Sequence, residues 1–399
     1  MKKTTPLALL FLATATGLGL STTLGAQKAL DERRYVDLAI CLDTSGSMRG
    51  LLDSARQSIW AIVNDLALAK PAPRLRIALL TFGNDGHSKA NGWVRVDTGF
   101  TGDLDLVSEK LFALKTNGGT ELVGRVLQAS LEQLRWTSSS NALKLIVVAG
   151  NESADQDRMV DFRSQCKKAI SRGIMINSIY CGNPGDQLAP AWNMVAKLAD
   201  GHFDTINQHG TVALQSPFDA QITSLSSALN TTYIPLGAAG ARGNRNQIVQ
   251  DGNAVHLNSQ ASAQRGQAKA SGNYYCSWDL IDNLRTKKLK ISEVKVTDLP
   301  KNMRKMTMKE REVYAAEMQK KRTDIQKKVI DLTAKRSAWC TQELEKRRDG
   351  KETSFESAVR KSVRAQAEAK GLKYPSAKKP AKAKTTDKKP GVQPKPRSK

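Results

Sequence analysis

The chain has 399 residues, of which 40% are hydrophobic and 25% are charged. This composition excludes collagen-like and wholly disordered proteins and suffices for one or two globular domains. The formal net charge is +24, but residues 301–399 contain 30 of the 62 basic residues and only 12 of the 38 acidic ones. The basic character therefore belongs to the C-terminal region and not to the main folded body.

The N-terminus has the layout of a bacterial secretory signal peptide. Two lysines precede an apolar run that extends from Pro6 to about Leu20, and a stretch of small residues ends at Ala26. The pattern predicts a signal peptide over residues 1–26, with cleavage after Ala26. The run is too short and too rich in Ala, Thr and Gly for a membrane anchor, and no later stretch is apolar enough to span a bilayer. We therefore expect an exported protein, periplasmic or extracellular.

Residues 35–235 alternate between strand-like and helix-like patterns. The strand-like runs are apolar and partly β-branched, and they lie at residues 35–42, 74–83, 92–100, 143–150, 173–181 and 202–206. Helical patterns of ten or more residues separate most of them, which indicates a parallel sheet with helices on both faces. The 84–91 loop is short enough for a hairpin, so one edge strand is expected to be antiparallel. The predicted fold is α/β, a doubly wound, mostly parallel six-stranded sheet with one antiparallel edge strand, followed by a basic helical C-terminal region.

The remaining chain divides by composition into three segments. Residues 237–272 are rich in Gly, Ala, Asn, Gln and Ser, so they either pack poorly or form polar helices, and we treat them as a polar connector. Residues 273–375 restore aromatic content and then carry widely spaced apolar residues among dense Lys, Arg and Glu, which predicts a long amphipathic helix or a helical pair. A coiled coil is weakly supported, because no strict heptad persists. Residues 376–399 contain nine basic residues and four prolines, which predicts a disordered tail.

The chain has five cysteines, so at least one is free or pairs with another chain. Cys41 lies inside an apolar strand and is the best candidate for a buried small hydrophobic residue. Pairs between Cys166 and Cys181 and between Cys276 and Cys340 are suggested by region only, and the spacing does not decide between pairings. The sequence contains no CxxC, which argues against a zinc site or a thiol-redox motif.

One polar cluster follows the first predicted strand. The sequence Asp-Thr-Ser-Gly-Ser begins at Asp43 and stands where a strand ends and a helix begins. Ligands of doubly wound sheets bind beyond the carboxyl ends of the strands, and Asp43, Ser45 and Ser47 present only oxygen donors there. Hard oxygen ligands suit Mg²⁺, Mn²⁺ or Ca²⁺. The alternative is an ordinary helix N-cap, for which Asp and Ser are also preferred.

This cluster resembles the start of the von Willebrand factor type A domain, whose metal-ion-dependent adhesion site begins with Asp-x-Ser-x-Ser after the first strand. The resemblance extends to the Gly-Gly-Thr turn before a later helix and to the order of strands and helices through about residue 206. It implies that Ser45, Ser47 and Thr120 offer hydroxyl oxygens to a divalent cation and that Asp43 acts directly or through water. Mg²⁺ is the expected metal, with Mn²⁺ and Ca²⁺ as alternatives.

One position departs from the pattern of this family. The family has an Asp after the fourth strand, whereas this chain has the sequence VAGNE at 148–152. Asn151 or Glu152 is left to supply an oxygen there, and the site carries less negative charge without that Asp. Glu121, next to Thr120, is either a carboxylate behind the ligands or an ordinary acidic residue in the first turn of a helix.

The resemblance implies a secreted or periplasmic binding protein of adhesion type, in which the cation holds a carboxylate of a protein or glycan partner. Residues 277–282 and 299–322 are similar to the C-terminal part of exported bacterial proteins of this family. The alternative is an envelope-tethering or scaffold protein with an inert type A fold, whose basic C-terminal region binds polyanions or the envelope surface. Clustered lysines with few aromatic residues indicate binding without sequence-specific recognition of nucleic acid.

An enzyme is not expected from this sequence. No GxSxG motif surrounds a candidate nucleophilic serine, and no phosphate-binding loop of the form GxxxxGK[ST] is present. The four histidines lie in different segments without metal-ligand spacing, so each is expected to be a surface or packing residue.

Overall fold

The computed structural model describes residues 34–206, 214–346 and 354–374. The predicted signal peptide and the predicted tail at 376–399 lie outside these residues. The strands are β1 (Tyr35–Asp43), β2 (Arg74–Phe82), β3 (Arg95–Thr101), β4 (Leu143–Gly150), β5 (Met175–Tyr180) and β6 (Phe203–Thr205). The helices are α1 (Arg49–Ala67), α2 (Leu104–Ala113), α3 (Val123–Glu132), α4 (Phe162–Ser171), α5 (Ala189–Lys197), α6 (Asp219–Asn230), α7 (Gly237–Leu257), α8 (Ser259–Ala270), α9 (Leu280–Arg285), α10 (Met308–Lys346) and α11 (Phe355–Ala369).

The strands form one six-stranded sheet in the order β3-β2-β1-β4-β5-β6. Every described pairing is parallel except that of β2 with β3, which are joined by the loop that begins at residue 83. The predicted fold class is therefore confirmed, including the antiparallel edge strand. The predicted strands agree with the observed ones to within about three residues, most closely at β1 and β4, which are largely apolar runs bounded by polar residues.

Helices cover both faces of the sheet because side chains alternate between the two faces along each buried strand. Leu38, Ile40 and Leu42 of β1 belong to a core cluster with α1 and α2, whereas Ala39 and Cys41 belong to a second cluster with α3, α4 and α5. The central strands are buried on both faces, as expected for parallel strands enclosed by helices.

The segment 237–272, treated above as a connector, forms α7 and α8. Helix α8 packs against α1, α6 and α10, and its Ala263 and Ala268 belong to the same core cluster as the β1 side chains. Its small residues allow close helix contacts, so a segment with few large apolar residues still contributes to the core. The first core cluster thus extends well beyond residue 235.

Two cations of α8 are completely enclosed. The Arg265 guanidinium pairs with Asp105 of α2 (2.8 Å) and with Asp251 of α7, and the Lys269 ammonium pairs with Asp251 (2.8 Å). Tyr274 donates a hydrogen bond to the second oxygen of Asp105 at 2.6 Å. We call these five residues the buried ion network. Each carboxylate in it has a cation partner, as buried charges require.

The last helices are also anchored by buried polar contacts. Arg322 of α10 pairs with Asp279 (2.7 Å) and Asp282 (3.3 Å). Helix α11 packs on α1, β4 and β5, and its Gln366 exchanges two amide hydrogen bonds with Asn177 of β5, at 2.9 and 2.8 Å. The basic helical C-terminal region is therefore part of the folded body as far as residue 374.

All five cysteines lie among the described residues, and none of them is paired. Cys41 is completely buried, as predicted. No helix in the described ranges combines the length and apolar character needed to cross a membrane.

Candidate functional site

The candidate site lies at the carboxyl end of β1, between β2 and β4. Asp43, the last residue of β1, pairs in register with Phe82 of β2, and Leu42 pairs with Ala149 of β4. From here the chain continues into α1 on one face, whereas β4 leads to α4 on the other face. The connections therefore diverge at this point, where ligands of open α/β sheets bind.

Asp43 is completely buried and incompletely satisfied. Its Oδ1 accepts a hydrogen bond from the backbone N–H of Ser45 at 2.8 Å, while its Oδ2 is buried and has no hydrogen-bond partner among the described residues. The pKa of Asp43 is raised from 3.8 to about 7, mainly by burial and also by the neighbouring Glu121 carboxylate, while hydrogen bonding from Ser45 opposes the rise. A buried carboxylate without a cation is costly, so this environment favours a positively charged ligand.

The two serine hydroxyls lie side by side above this carboxylate. Ser45 Oγ is 3.3 Å from Ser47 Oγ, and Asn151 donates a hydrogen bond through Nδ2 to Ser47 Oγ at 3.1 Å. The structure thus brings Asn151 together with the serine loop, whereas the Glu152 side chain is exposed. The Glu152 carbonyl accepts a hydrogen bond from the indole N–H of Trp192 at 2.8 Å, which fixes the backbone after β4.

The serine loop is held by contacts to two neighbouring loops. The Thr44 hydroxyl donates to the Phe82 carbonyl (3.1 Å), and the Thr44 carbonyl accepts from Asn84 Nδ2 (3.1 Å) and the Asn117 N–H (3.1 Å). The helix N-cap interpretation is wrong, because Met48 stands at the N-cap of α1 and no side chain caps that end. The hydroxyls of Ser45 and Ser47 are therefore not committed to the helix.

Thr120 is half-buried and follows a glycine that packs against the loop after β2. Gly119 has a φ of +135°, and a Cβ on it would stand 2.0 Å from the Gly83 carbonyl oxygen. Only glycine fits here, and this close approach brings Thr120 and Glu121 to the same edge as Asp43. The Gly-Gly-Thr signal in the sequence therefore marks a real backbone constraint.

Glu121 is the residue that sequence reasoning left undecided. Its side chain is buried, although glutamate is rarely buried without a partner. Burial raises its pKa, the nearby Glu152 raises it too, and the Ser45 hydroxyl lowers it. The Glu121 carboxylate therefore lies next to the Ser45 hydroxyl, which is one of the predicted metal ligands. Its position next to Thr120 was the one available signal in the sequence.

The donor set fits a hard divalent cation. The site offers carboxylate and hydroxyl oxygens around the unpaired Asp43 Oδ2, which is the donor type that Mg²⁺, Mn²⁺ and Ca²⁺ prefer. Within residues 34–206, 214–346 and 354–374, no three His, Cys, Asp or Glu side chains are grouped so that they could hold a metal by themselves. Any cation at this edge would therefore depend on the hydroxyls as well as on the acids.

Residues 37–208 match the family model of the von Willebrand factor type A domain. The match covers less than half of the chain, and we refer to this part as the type A domain. The sheet, its antiparallel strand and the flanking helices agree with the fold of that family. Domains of this family are generally interaction modules. No curated protein matches this sequence significantly.

Several solved structures are similar to the chain at low identity. Proximal thread matrix protein 1 from the mussel byssus is 14% identical, with a TM-score of 0.32 over 44% of this chain and 42% of its own length. The SpRpn10 VWA domain is 16% identical, with a TM-score of 0.34 over 45% of this chain and its entire length. The vWF domain of the pilus tip protein Mfa5 from Porphyromonas gingivalis is 14% identical, with a TM-score of 0.33 over 44% of this chain and 90% of its own length. The chain thus spans less than half of the mussel protein.

Proposed function

We propose that this chain is an exported interaction protein whose type A domain binds an acidic group of a protein or glycan partner at a divalent-cation site. The observation that carries the proposal is the buried, unpartnered Oδ2 of Asp43 beside the paired hydroxyls of Ser45 and Ser47. Thr120 and either Asn151 or Glu152 complete the proposed ligand set. Mg²⁺ is the proposed metal, because all of these donors are hard oxygens.

The proposed mechanism divides the work between the metal and the loops. When bound, the cation supplies the positive charge that attracts a partner carboxylate and leaves it a coordination position. The Ser45 N–H fixes the orientation of the Asp43 carboxylate, and Asn151 fixes the Ser47 hydroxyl. The loops at 84–91, 117–121 and 151–157 surround this edge of the sheet and would select the partner. No covalent chemistry is proposed.

Calorimetric titration of the metal-stripped protein with Mg²⁺, Mn²⁺ and Ca²⁺ tests the metal site. The protein lacks only residues 1–26, because α8 and α11 pack on the core of the type A domain and shorter fragments would expose it. We expect saturable binding that disappears in Asp43→Ala and persists in Asp324→Ala, a control on the exposed surface of α10. Absence of binding in the unmodified protein would overturn the proposal.

The partner chemistry needs a second experiment. We expect carboxylate-bearing peptides and acidic glycans to bind the immobilised protein in Mg²⁺ and to be released by EDTA. Amidated peptides of the same sequence are the matched control. Equal retention of acidic and amidated peptides would refute carboxylate recognition while leaving the metal site intact.

A second candidate function is polyanion binding through the basic C-terminal region. Residues 287–309 expose six lysines that form no ion pair with a described residue: Lys287, Lys288, Lys295, Lys301, Lys305 and Lys309. Clustered unpaired cations favour sequence-independent binding of polyanions through counterion release. This surface would serve the tethering alternative, in which the type A fold is inert.

Charge reversal at these lysines tests polyanion binding without removing any part of the folded chain. Replacing Lys301, Lys305 and Lys309 by Glu should lower the salt concentration at which the protein leaves a heparin column. The same net charge change at the exposed residues Lys167, Lys168 and Lys197 is the control. Equal shifts in both triple variants would show that net charge alone governs retention and would contradict a defined binding surface.

A further inference from the structure

We infer that the carboxylate of Glu121 is the second acidic ligand of the cation site and stands in for the Asp that this chain lacks after β4. This inference rests on the proposed metal site and assigns one further ligand to it. The ligands considered above placed the substitute at Asn151 or Glu152, on the opposite side of Asp43.

The first step of the argument is the closeness of the two acidic side chains, measured from the Asp43 carboxylate to the Glu121 side-chain carbon Cγ. A Cβ on Gly83 would stand 2.8 Å from Asp43 Oδ1 and also 2.8 Å from Glu121 Cγ. These two atoms therefore lie within twice that distance of each other. Gly83 has a φ of +71°, and the absence of its side chain leaves the space into which both acidic side chains reach.

The second step concerns charge balance. Neither Asp43 nor Glu121 forms an ion pair with any Lys, Arg or His in the part of the chain that the structure describes. Asp43 Oδ2 also has no hydrogen-bond partner there. Two neighbouring carboxylates in a buried place repel each other unless a cation lies between them. One divalent cation would balance the charge of the pair.

The third step compares Glu121 with the two other candidates. Asn151 lies against the Ser47 hydroxyl with both amide atoms, Nδ2 at 3.1 Å and Oδ1 at 3.4 Å from Oγ, and as a neutral amide it does not replace the charge of the missing Asp. Glu152 is exposed and would lose side-chain freedom on coordination. Glu121 is already buried beside the Ser45 hydroxyl and is held in place by the Gly119 turn, so its coordination requires the least ordering.

The test is calorimetric titration of Mg²⁺ and Mn²⁺ into Glu121→Gln, a variant of the same shape without the charge. We expect the affinity to fall at least tenfold. Glu132→Gln at the exposed end of α3, the helix that follows Glu121, is the matched control and should bind as the unmodified protein does. Adding Asn151→Asp to Glu121→Gln should restore most of the affinity, because it returns a carboxylate to the position after β4.

The outcomes separate this inference from the function on which it rests. If the unmodified protein binds no cation, the proposed metal site and the Glu121 assignment both fail. If it binds and Glu121→Gln binds equally well, the metal site stands and the Glu121 assignment is overturned.

Thermal unfolding in EDTA distinguishes a ligand from a structural residue. Glu121→Gln removes one of two neighbouring buried carboxylates, so the metal-free variant should unfold at the same temperature as the unmodified protein or higher. The increase in unfolding temperature on adding Mg²⁺ should become smaller. A lower unfolding temperature in EDTA would show that Glu121 stabilises the fold itself and would overturn its assignment as a ligand.

Discussion

Two of the places where this molecule buries acidic side chains resolve the cost of doing so differently. In the buried ion network, the carboxylates of Asp105 and Asp251 meet cations from the same chain. At the end of β1, Asp43 and Glu121 lie close together without a described cation. The first arrangement is complete in the folded chain, whereas the second has a deficit of positive charge. The difference indicates that the first place serves stability and the second serves binding.

The largest expected effect is the loss of stability when the buried ion network is disrupted. Arg265→Met keeps the apolar stem of the side chain but leaves Asp105 without its cation, and loss of one partner from a buried pair costs about 3–5 kcal/mol. Urea unfolding measures this loss. The control is Arg163→Met, which removes exposed pairs to Asp155 and Asp161 and should cost about 1 kcal/mol or less. Equal losses of stability in the two variants would show that the buried ion network contributes no more than exposed ion pairs do.

The second prediction concerns the pH dependence of the metal-free protein. The folded protein holds the Asp43 proton more tightly than the unfolded chain does, because the pKa rises from 3.8 to about 7 on folding. The contribution of this group to stability is therefore greatest below pH 4 and falls as pH rises to about 7. A difference of this size corresponds to about 4 kcal/mol.

The measurement is the free energy of unfolding in EDTA at pH 4.5 and at pH 8, for the unmodified protein and for Asp43→Asn. The variant should be the more stable of the two at pH 8, and most of this difference should disappear at pH 4.5. Parallel pH profiles for the two proteins would show that folding does not raise the pKa of Asp43 in the metal-free protein.

The third prediction concerns the pH dependence of Mg²⁺ binding. A cation and a proton compete for Asp43, so the affinity for Mg²⁺ should be constant above about pH 7 and fall up to about tenfold for each pH unit below it. Titrations at pH 8, 7 and 6 measure this. An affinity independent of pH over this range would mean that Asp43 does not lose a proton on binding.

The smallest expected effect tests the role of Gly83, which lies between the side chains of Asp43 and Glu121. Gly83 and Gly173 have nearly the same positive φ, +71° and +67°, but a Cβ on Gly173 would meet nothing within 4 Å. Gly173→Ala should therefore cost only the backbone strain, about 1 kcal/mol. Gly83→Ala should cost more than this and should also weaken Mg²⁺ binding, because its methyl group would push against both acids.

The type A fold was accessible from the sequence because its signals are local. The run at 35–42 and the run at 143–150 are apolar enough to identify central strands without knowledge of their partners, and the Asp-Thr-Ser-Gly-Ser sequence marks the strand end. Thr120 was predicted only through the resemblance of its Gly-Gly-Thr sequence to the family motif.

The C-terminal helices and the second carboxylate were not accessible in this way. The sequence of α8 contains Arg265 and Lys269 among small polar residues and shows none of the apolar spacing that predicts burial. Their burial depends on acids that lie far away in the chain, at Asp105 and Asp251. Glu121 is similar, because only the close approach of Gly119 to Gly83 reveals that it reaches Asp43.

The attachment of α11 to β5 has a consequence for the order in which the molecule folds. Asn177 and Gln366 are 189 residues apart, and Val359 and Val363 lie in the core cluster that covers this part of the sheet. Contacts between such distant segments form slowly, since a long loop must close first. A growing chain that has not reached residue 366 therefore leaves part of the β4 and β5 surface uncovered, and completion of the core waits for α11, the last helix within the described residues.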